Sequence, residues 1–231
     1  MPAERLLLFD IDNTLLYTGG AGSFAMNLAF RELFGIEDGF GKIEFSGRTD
    51  RFILQSVLDT HGVGGDFESQ MAAILDRYYA LLPGALAEKP GTLMPGFPEL
   101  LASLAESPNA RLGLATGNFS EAARFKLAYY GIEEFFRDGS SLLGGFGEES
   151  TDRADVVRVA IENFGPTVNS REVLVIGDTP KDITAALDNG VIAVGVATGS
   201  YTTEQLRESG AHMVFEDLSD WRQAAAALSG A

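Results

Sequence analysis

The chain has no cysteine, only two histidines and one tryptophan among its 231 residues. Without a thiol there can be no disulfide, no thiolate nucleophile and no Cys-ligated zinc. With His61 and His212 alone, a multi-histidine metal centre is nearly excluded as well. Any bound metal must therefore be a hard cation on oxygen ligands. Positive charge is also scarce. Lys and Arg number 17 against 33 Asp and Glu, a net charge of −16. That balance argues against a nucleic-acid partner bound through a basic face. An anionic ligand would need a local cation to hold it against the global field. Long apolar runs are missing too. The first, Leu6–Phe9, ends at Asp10 and Asp12, too short for a signal peptide or a bilayer span. A cytoplasmic protein without a membrane partner is expected; its oligomeric state cannot be read from the sequence.

What is present is ordinary for a globular protein: 45% hydrophobic and 22% charged residues. At ~150 residues per domain, this length suits one large domain or a main domain with an insert. Short apolar runs at Leu6–Phe9, Leu112–Ala115, Val173–Ile176, Val191–Val196 and Met213–Phe215 are bounded by charged or turn residues, as buried parallel strands are. Helical patterns lie between them, at about 97–106, 120–130, 152–164, 181–189, 203–209 and 219–228. This alternation predicts an α/β fold, a Rossmann-like open parallel sheet with helices on both faces. Residues 17–92 break the pattern and read as helices only, at about 22–34, 49–60 and 67–82. Gly19, Gly20 and Gly22 mark the entry; Pro90, Gly91, Pro95 and Gly96 mark the exit. The expected organisation is a core of residues 1–16 and 93–231 carrying an inserted helical cap of residues 17–92.

Three loops at strand ends carry candidate chemistry. Asp10-Ile11-Asp12-Asn13-Thr14 follows the first strand, Thr116-Gly117-Asn118 the second, and Gly177-Asp178-Thr179-Pro180-Lys181-Asp182 the third. In open parallel sheets, ligands gather beyond the carboxyl ends of the strands. Asp10 and Asp12 are close enough in sequence to share a space there. Thr116 offers a hydroxyl, Gly117 a close backbone approach, and the helix starting near Ser120 free N–H groups, together an uncharged phosphate cradle. Each loop alone is also what a strand end or a helix N-cap looks like; three in register are not.

Asp-Ile-Asp-Asn-Thr-Leu, Thr-Gly-Asn and Gly-Asp-Thr-Pro-Lys-Asp resemble motifs one, two and four of the haloacid dehalogenase-like superfamily, in the right order over essentially the whole chain. The insert resembles the cap of phosphoglycolate-phosphatase-like members. The resemblance implies that Asp10 is a nucleophile forming an aspartyl-phosphate and that Asp12 is the general acid/base. It implies Mg²⁺ held by Asp10, Asp178, the Asp12 main-chain carbonyl and, directly or through water, Asp182. Thr116, Gly117 and Asn118 would hold phosphate. Carboxylate attack on a phosphate dianion costs ~4 kcal/mol per close anion pair at an effective dielectric of 20, which a bridging Mg²⁺ would offset. An acid at position 12 favours phosphate esters, whose leaving oxygen needs a proton, over halides. The implied activity is hydrolysis of a small phosphorylated metabolite, phosphoglycolate-like or a sugar phosphate. Mutase or phosphonatase chemistry, or a catalytically silent regulatory member, are the alternatives.

The family's third motif departs from its common Lys-Pro form. Arg153, opening a helix, is the favoured replacement and Lys126 its rival, both otherwise ordinary surface charges. Phe45-Ser46-Gly47-Arg48-Thr49-Asp50 resembles the cap's substrate-specificity loop, with Arg48 able to meet a carboxylate or hydroxyl; Thr49 or Asp50 also suits the N-cap of the next helix. The Gly19–Gly22 cluster suits a closing hinge or a plain loop. A phosphonatase would need a cap lysine, for which Lys42 and Lys89 are the candidates. His61 reads as a helix end, His212 as structural, and Phe24, Phe30 and Trp221 as packing.

Overall fold

The computed structural model describes residues 4–41, 43, 46–165 and 169–230. Lys42 and Phe45 therefore lie outside the described residues. In chain order, β1 (Arg5–Phe9) and the short β2 (Leu16–Tyr17) are followed by helices α1 (Ala21–Phe34), α2 (Asp50–Thr60) and α3 (Phe67–Glu88), then β3 (Thr92–Leu93). Next come α4 (Glu99–Ala105), β4 (Ala110–Ala115), α5 (Ser120–Tyr129) and three two-residue strands, β5 (Arg137–Asp138), β6 (Ser141–Leu142) and β7 (Gly144–Gly145). The chain ends with α6 (Arg153–Asn163), β8 (Val173–Gly177), α7 (Pro180–Asp188), β9 (Ile192–Val196), α8 (Thr203–Glu208), β10 (Met213–Phe215) and α9 (Trp221–Ser229).

Six strands form one parallel sheet in the order β10-β9-β8-β1-β4-β7. The fold is α/β and Rossmann-like. Both faces of β1 are covered, which is why it reads as an unbroken apolar run. Leu7 and Phe9 pack with α4, α5 and α9 residues such as Leu101, Leu127 and Leu228. Leu6 and Leu8 pack on the opposite face with α6, α7 and α8 residues such as Val157, Ile183 and Leu206. Phe9 sits opposite Leu114 of β4 and Ile176 of β8. The loops after these three neighbouring strands therefore emerge side by side at one sheet edge.

Helices α1–α3 are inserted between β2 and β3, which pair antiparallel, Leu16 opposite Leu93 and Tyr17 opposite Thr92. They have an apolar centre of their own, built on Phe30, Leu54, Ile74 and Leu82, and it also takes in Phe119 and Ala122 of the α5 region. Phe30 is fully buried there, and Phe24 is partly buried against the same cluster. His61 is the C-cap of α2. His212 pairs with Ala193, its N–H donating to the carbonyl at 2.9 Å and its Nδ1 accepting the amide at 3.0 Å. Trp221 packs against the sheet's apolar layer.

Helix α3 and the two-residue strands β2, β3, β5, β6 and β7 differ from the sequence expectation. Helix α3 does not stop at residue 82 but runs through Pro83 to Glu88. Proline removes one helical hydrogen bond, yet Ala85 and Leu86 extend the buried stripe of Ile74, Tyr78 and Leu82. The sixth strand, β7, had no apolar run to announce it. Gly145 has no room for a side chain, because a Cβ there would lie 2.0 Å from the Val156 carbonyl oxygen of α6.

Candidate active site

Asp10 is the first residue beyond β1, held level with β8 by its N–H donating to the Ile176 carbonyl at 2.9 Å. Its Oδ1 accepts from Arg153 Nη2 at 2.7 Å. Arg153 opens α6, whose N-cap is Asp152. The same Nη2 donates to Asp182 Oδ1 at 2.7 Å and to the Ala115 carbonyl at 2.9 Å. One buried guanidinium thus ties together the ends of β1 and β4 and the first turn of α7. Asp182 is held from its other oxygen, which accepts from Thr179 N at 3.1 Å and Thr179 Oγ1 at 2.7 Å in a reciprocal capping box. This is how Asp182 returns to the site from four residues after Asp178.

Asp10, Asp178 and Asp182 can each place one carboxylate oxygen within 4.8 Å of the others. Burial comes first in raising Asp178, followed by the charges of Asp182 and Asp10; its carboxyl is pushed up to about 9. Burial also raises Asp10, Arg153 opposes, and Asp182 and Asp12 add to the rise, leaving it at about 6. Burial alone would lower the Arg153 guanidinium, but Asp182 and Asp10 hold it above its ordinary value. Three buried carboxylates facing one cation leave negative charge unbalanced. An all-oxygen, anionic donor set in deficit of positive charge fits a hard divalent ion such as Mg²⁺.

Asp12 turns its side chain away from that triad. Lys126 Nζ reaches its two oxygens at 2.8 and 2.6 Å, and Asn118 Nδ2 donates to Oδ2 at 2.8 Å. Lys126 Nζ also donates to Asn118 Oδ1 at 2.5 Å. The two cations proposed for the third motif are therefore differently placed: Arg153 lies against Asp10, Lys126 against Asp12. The intervening turn has Asn13 in the left-handed region, φ 60°, and Thr198 Oγ1 donates to its carbonyl at 2.5 Å.

The loop after β4 corrects one expectation. Two of the N–H groups at the start of α5, those of Phe119 and Ser120, are not free for phosphate. Phe119 N–H donates to Asp50 Oδ2 at 3.1 Å and Ser120 N–H to Glu148 Oε2 at 3.0 Å. Gly117 makes its close approach to the cap rather than to open space: a Cβ there would lie 2.3 Å from the Arg48 carbonyl oxygen. Thr116 is fully buried, and its Oγ1 accepts from Asn118 Nδ2 at 2.9 Å.

Asp50 thus does more than begin a helix. Thr49 is the N-cap of α2, while Asp50 donates its N–H to the Gly117 carbonyl at 2.7 Å as well as accepting from Phe119. Burial raises its carboxyl to about 6, against the lowering effect of Lys126 and the Phe119 N–H. Arg48 lies 4.4 Å over the Phe52 ring, and its buried Nε has no partner among the described residues. Lys89 lies 3.8 Å over the Phe24 ring and pairs with Glu88. A cavity of about 320 Å³ between sheet edge and cap is lined by Asp10, Asp12, Arg48, Lys126, Arg153 and Asp178, among others. Its size lies at the small end for ligand pockets. Two contributors have no legible signal: Glu148 sits in an irregular loop and Tyr78 falls on the apolar stripe of α3. Asp50 is marked by the specificity-loop resemblance, but its bond to the start of α5 is not.

A phosphoglycolate phosphatase of Rhodospirillum rubrum is 27% identical over 228 residues, covering 94% of this chain and 90% of that protein. A probable phosphatase, IndB, of Dickeya dadantii is 25% identical over 234 residues, covering 97% and 95%. The solved structure of a hydrolase from Pseudomonas syringae superposes with a TM-score of 0.68 at 21% identity, covering 95% and 97%. The family profile described as haloacid dehalogenase-like hydrolase matches residues 4–190, and the chain belongs to that family.

Proposed function

We propose that this protein is a Mg²⁺-dependent phosphatase that hydrolyses a small phosphorylated metabolite through a phosphorylated Asp10. The observation that carries the reading is the convergence of Asp10, Asp178, Asp182 and Arg153 at neighbouring strand ends, with Asp12 held apart from them. Two relatives named as phosphatases support it.

Asp10, Asp178, the Asp12 carbonyl and Asp182 would hold the metal, which when bound supplies positive charge against the repulsion between carboxylate and phosphate. Asp10 attacks phosphorus as the ester oxygen leaves, and Asp12 gives that oxygen its proton. Asp12 then takes a proton from the water that attacks the acyl phosphate, releasing inorganic phosphate and regenerating Asp10. Arg153 is the third-motif cation that steadies Asp10 and the transferred phosphoryl group. Lys126 and Asn118 orient Asp12. Thr116, Gly117 and Asn118 hold phosphate oxygens from the β4 side. The cap, residues 17–92, closes over the site and excludes water during the first step, the Gly19–Gly22 stretch serving as its hinge. Arg48, with its unpartnered Nε, meets a polar group on the substrate. On this reading the protein acts in the cytoplasm.

Other readings gain less support. Lys89 is engaged with Phe24 and Glu88, which disfavours a Schiff-base phosphonatase. His61 caps a helix, which disfavours a proton-shuttling mutase. The test is phosphate release from p-nitrophenyl phosphate. Turnover is expected with Mg²⁺, not with EDTA, and is expected to vanish in Asp10→Asn. A wild-type protein inert towards it and other phosphate esters would favour a silent member of the family.

A further inference from the structure

One buried polar group on the cap side has no task in the catalytic reading. Tyr78 of α3 is 2% exposed, its ring seated in the cap's apolar cluster, and it lines the cavity. Its hydroxyl makes no hydrogen bond among the described residues. The hydroxyl end, not the ring, faces the site. It lies 3.5 Å from where a Cβ on Gly22 would begin, and Lys126 Nζ lies 3.6 Å from the same point. Gly22 therefore leaves a gap between a phenol and an ammonium group. Lys126 is already engaged by Asp12 and Asn118, whereas the phenol is free.

The chemistry of the gap restricts what can fill it. Burial first, then the nearby charges of Asp50 and Asp12, keep the phenol well above its ordinary pKa. It is thus a neutral O–H, able to donate and accept. The Lys126 ammonium bordering the gap is already matched by Asp12 and Asn118, so no unmatched cation there calls for an anion. Thr18 adds a second hydroxyl to the lining, while Met26, Ile53 and Leu54 offer apolar surface to a carbon skeleton. We propose that Tyr78 is a specificity-determining residue that reads a hydroxyl on the leaving alcohol, so that the preferred substrate is the phosphate monoester of a short hydroxylated alcohol. This rests on the phosphatase reading of the same site.

The test compares sn-glycerol 3-phosphate with n-propyl phosphate, which keeps three carbons and lacks both hydroxyls. Binding is measured by calorimetry with Mg²⁺ in an Asp10→Asn background, with and without Tyr78→Phe. A buried polar group left unpaired by the wrong ligand costs roughly five- to 150-fold in affinity. The background protein is expected to prefer the glycerol ester about tenfold, and Tyr78→Phe to abolish most of that preference. Gly22→Ala, which fills the gap, is expected to weaken the glycerol ester selectively. Equal affinity for the two esters in the background, no binding of either, or a preference untouched by Tyr78→Phe would overturn the proposal. Absence of turnover on p-nitrophenyl phosphate by the wild-type protein is a separate readout, which removes the phosphatase reading whatever the affinity ratio.

Discussion

Asp178 carries the largest unbalanced charge problem in the site. Arg153 serves Asp10 and Asp182, and burial together with those two neighbours raises Asp178 from 3.8 to about 9. The folded protein then holds a proton that the unfolded chain has already released, so stability is full at low pH and falls as pH rises from about 4 through about 9. On the proposed function, Mg²⁺ would replace that proton. In EDTA the melting temperature is expected to fall between about pH 5 and pH 9, and added Mg²⁺ to raise it most at the alkaline end. A flat profile in EDTA would count against this account. At this scale the acidic residues were legible, because their spacing ties them to strand ends. The division between Arg153 and Lys126 was not. Both are buried lysine or arginine side chains on helices, and only the fold shows that α6 delivers one to Asp10 and α5 the other to Asp12.

Helix α5 shows how cap and core depend on each other. The amides of its N-cap residue Phe119 and its first residue Ser120 are held by carboxylates from different places, Asp50 on the cap and Glu148 in the loop after β7. Side-chain acceptors at helix N-termini contribute about 1 kcal/mol. Asp50→Ala is therefore expected to cost about that much, to speed hydrogen exchange at Phe119, and to lower kcat/KM by loosening the Gly117–Phe119 loop. Exchange at Phe119 no faster than wild type would mean that this contact is not formed in solution. The elements themselves were largely readable. Val173–Gly177 and its neighbours stand out because strands buried on both faces are continuously apolar. Two kinds of element escaped. A strand made of Gly144 and Gly145 has no side chains to form a pattern. The end of α3 is decided by burial of Ala85 and Leu86, which outweighs the local signal of Pro83 and Gly84.

Across the whole molecule, the charge of −16 opposes the approach of an anionic substrate. Screening shortens that repulsion to about 8 Å near 0.15 M salt. Raising NaCl from about 10 to 150 mM at fixed Mg²⁺ is thus expected to lower KM for a phosphate ester; a rise in KM would show that the cations lining the cavity dominate the long-range field. Composition made this legible, and the alternation of apolar runs with helical patterns made the α/β class legible, but neither carried anything about how the inserted helices attach. The chain leaves the sheet domain at Leu16 and re-enters at Leu93, and those two residues are paired neighbours, about 5 Å apart across the ribbon. Everything between them enters and leaves through one narrow stem, and Asp50 together with the apolar cover over Phe119 and Ala122 ties it to the sheet domain a second time. The excursion is clamped at two points, so a tight turn put in its place would spare the strands but uncover Phe119 and Ala122 and leave the start of α5 without a partner; any exchanged insert has to supply both.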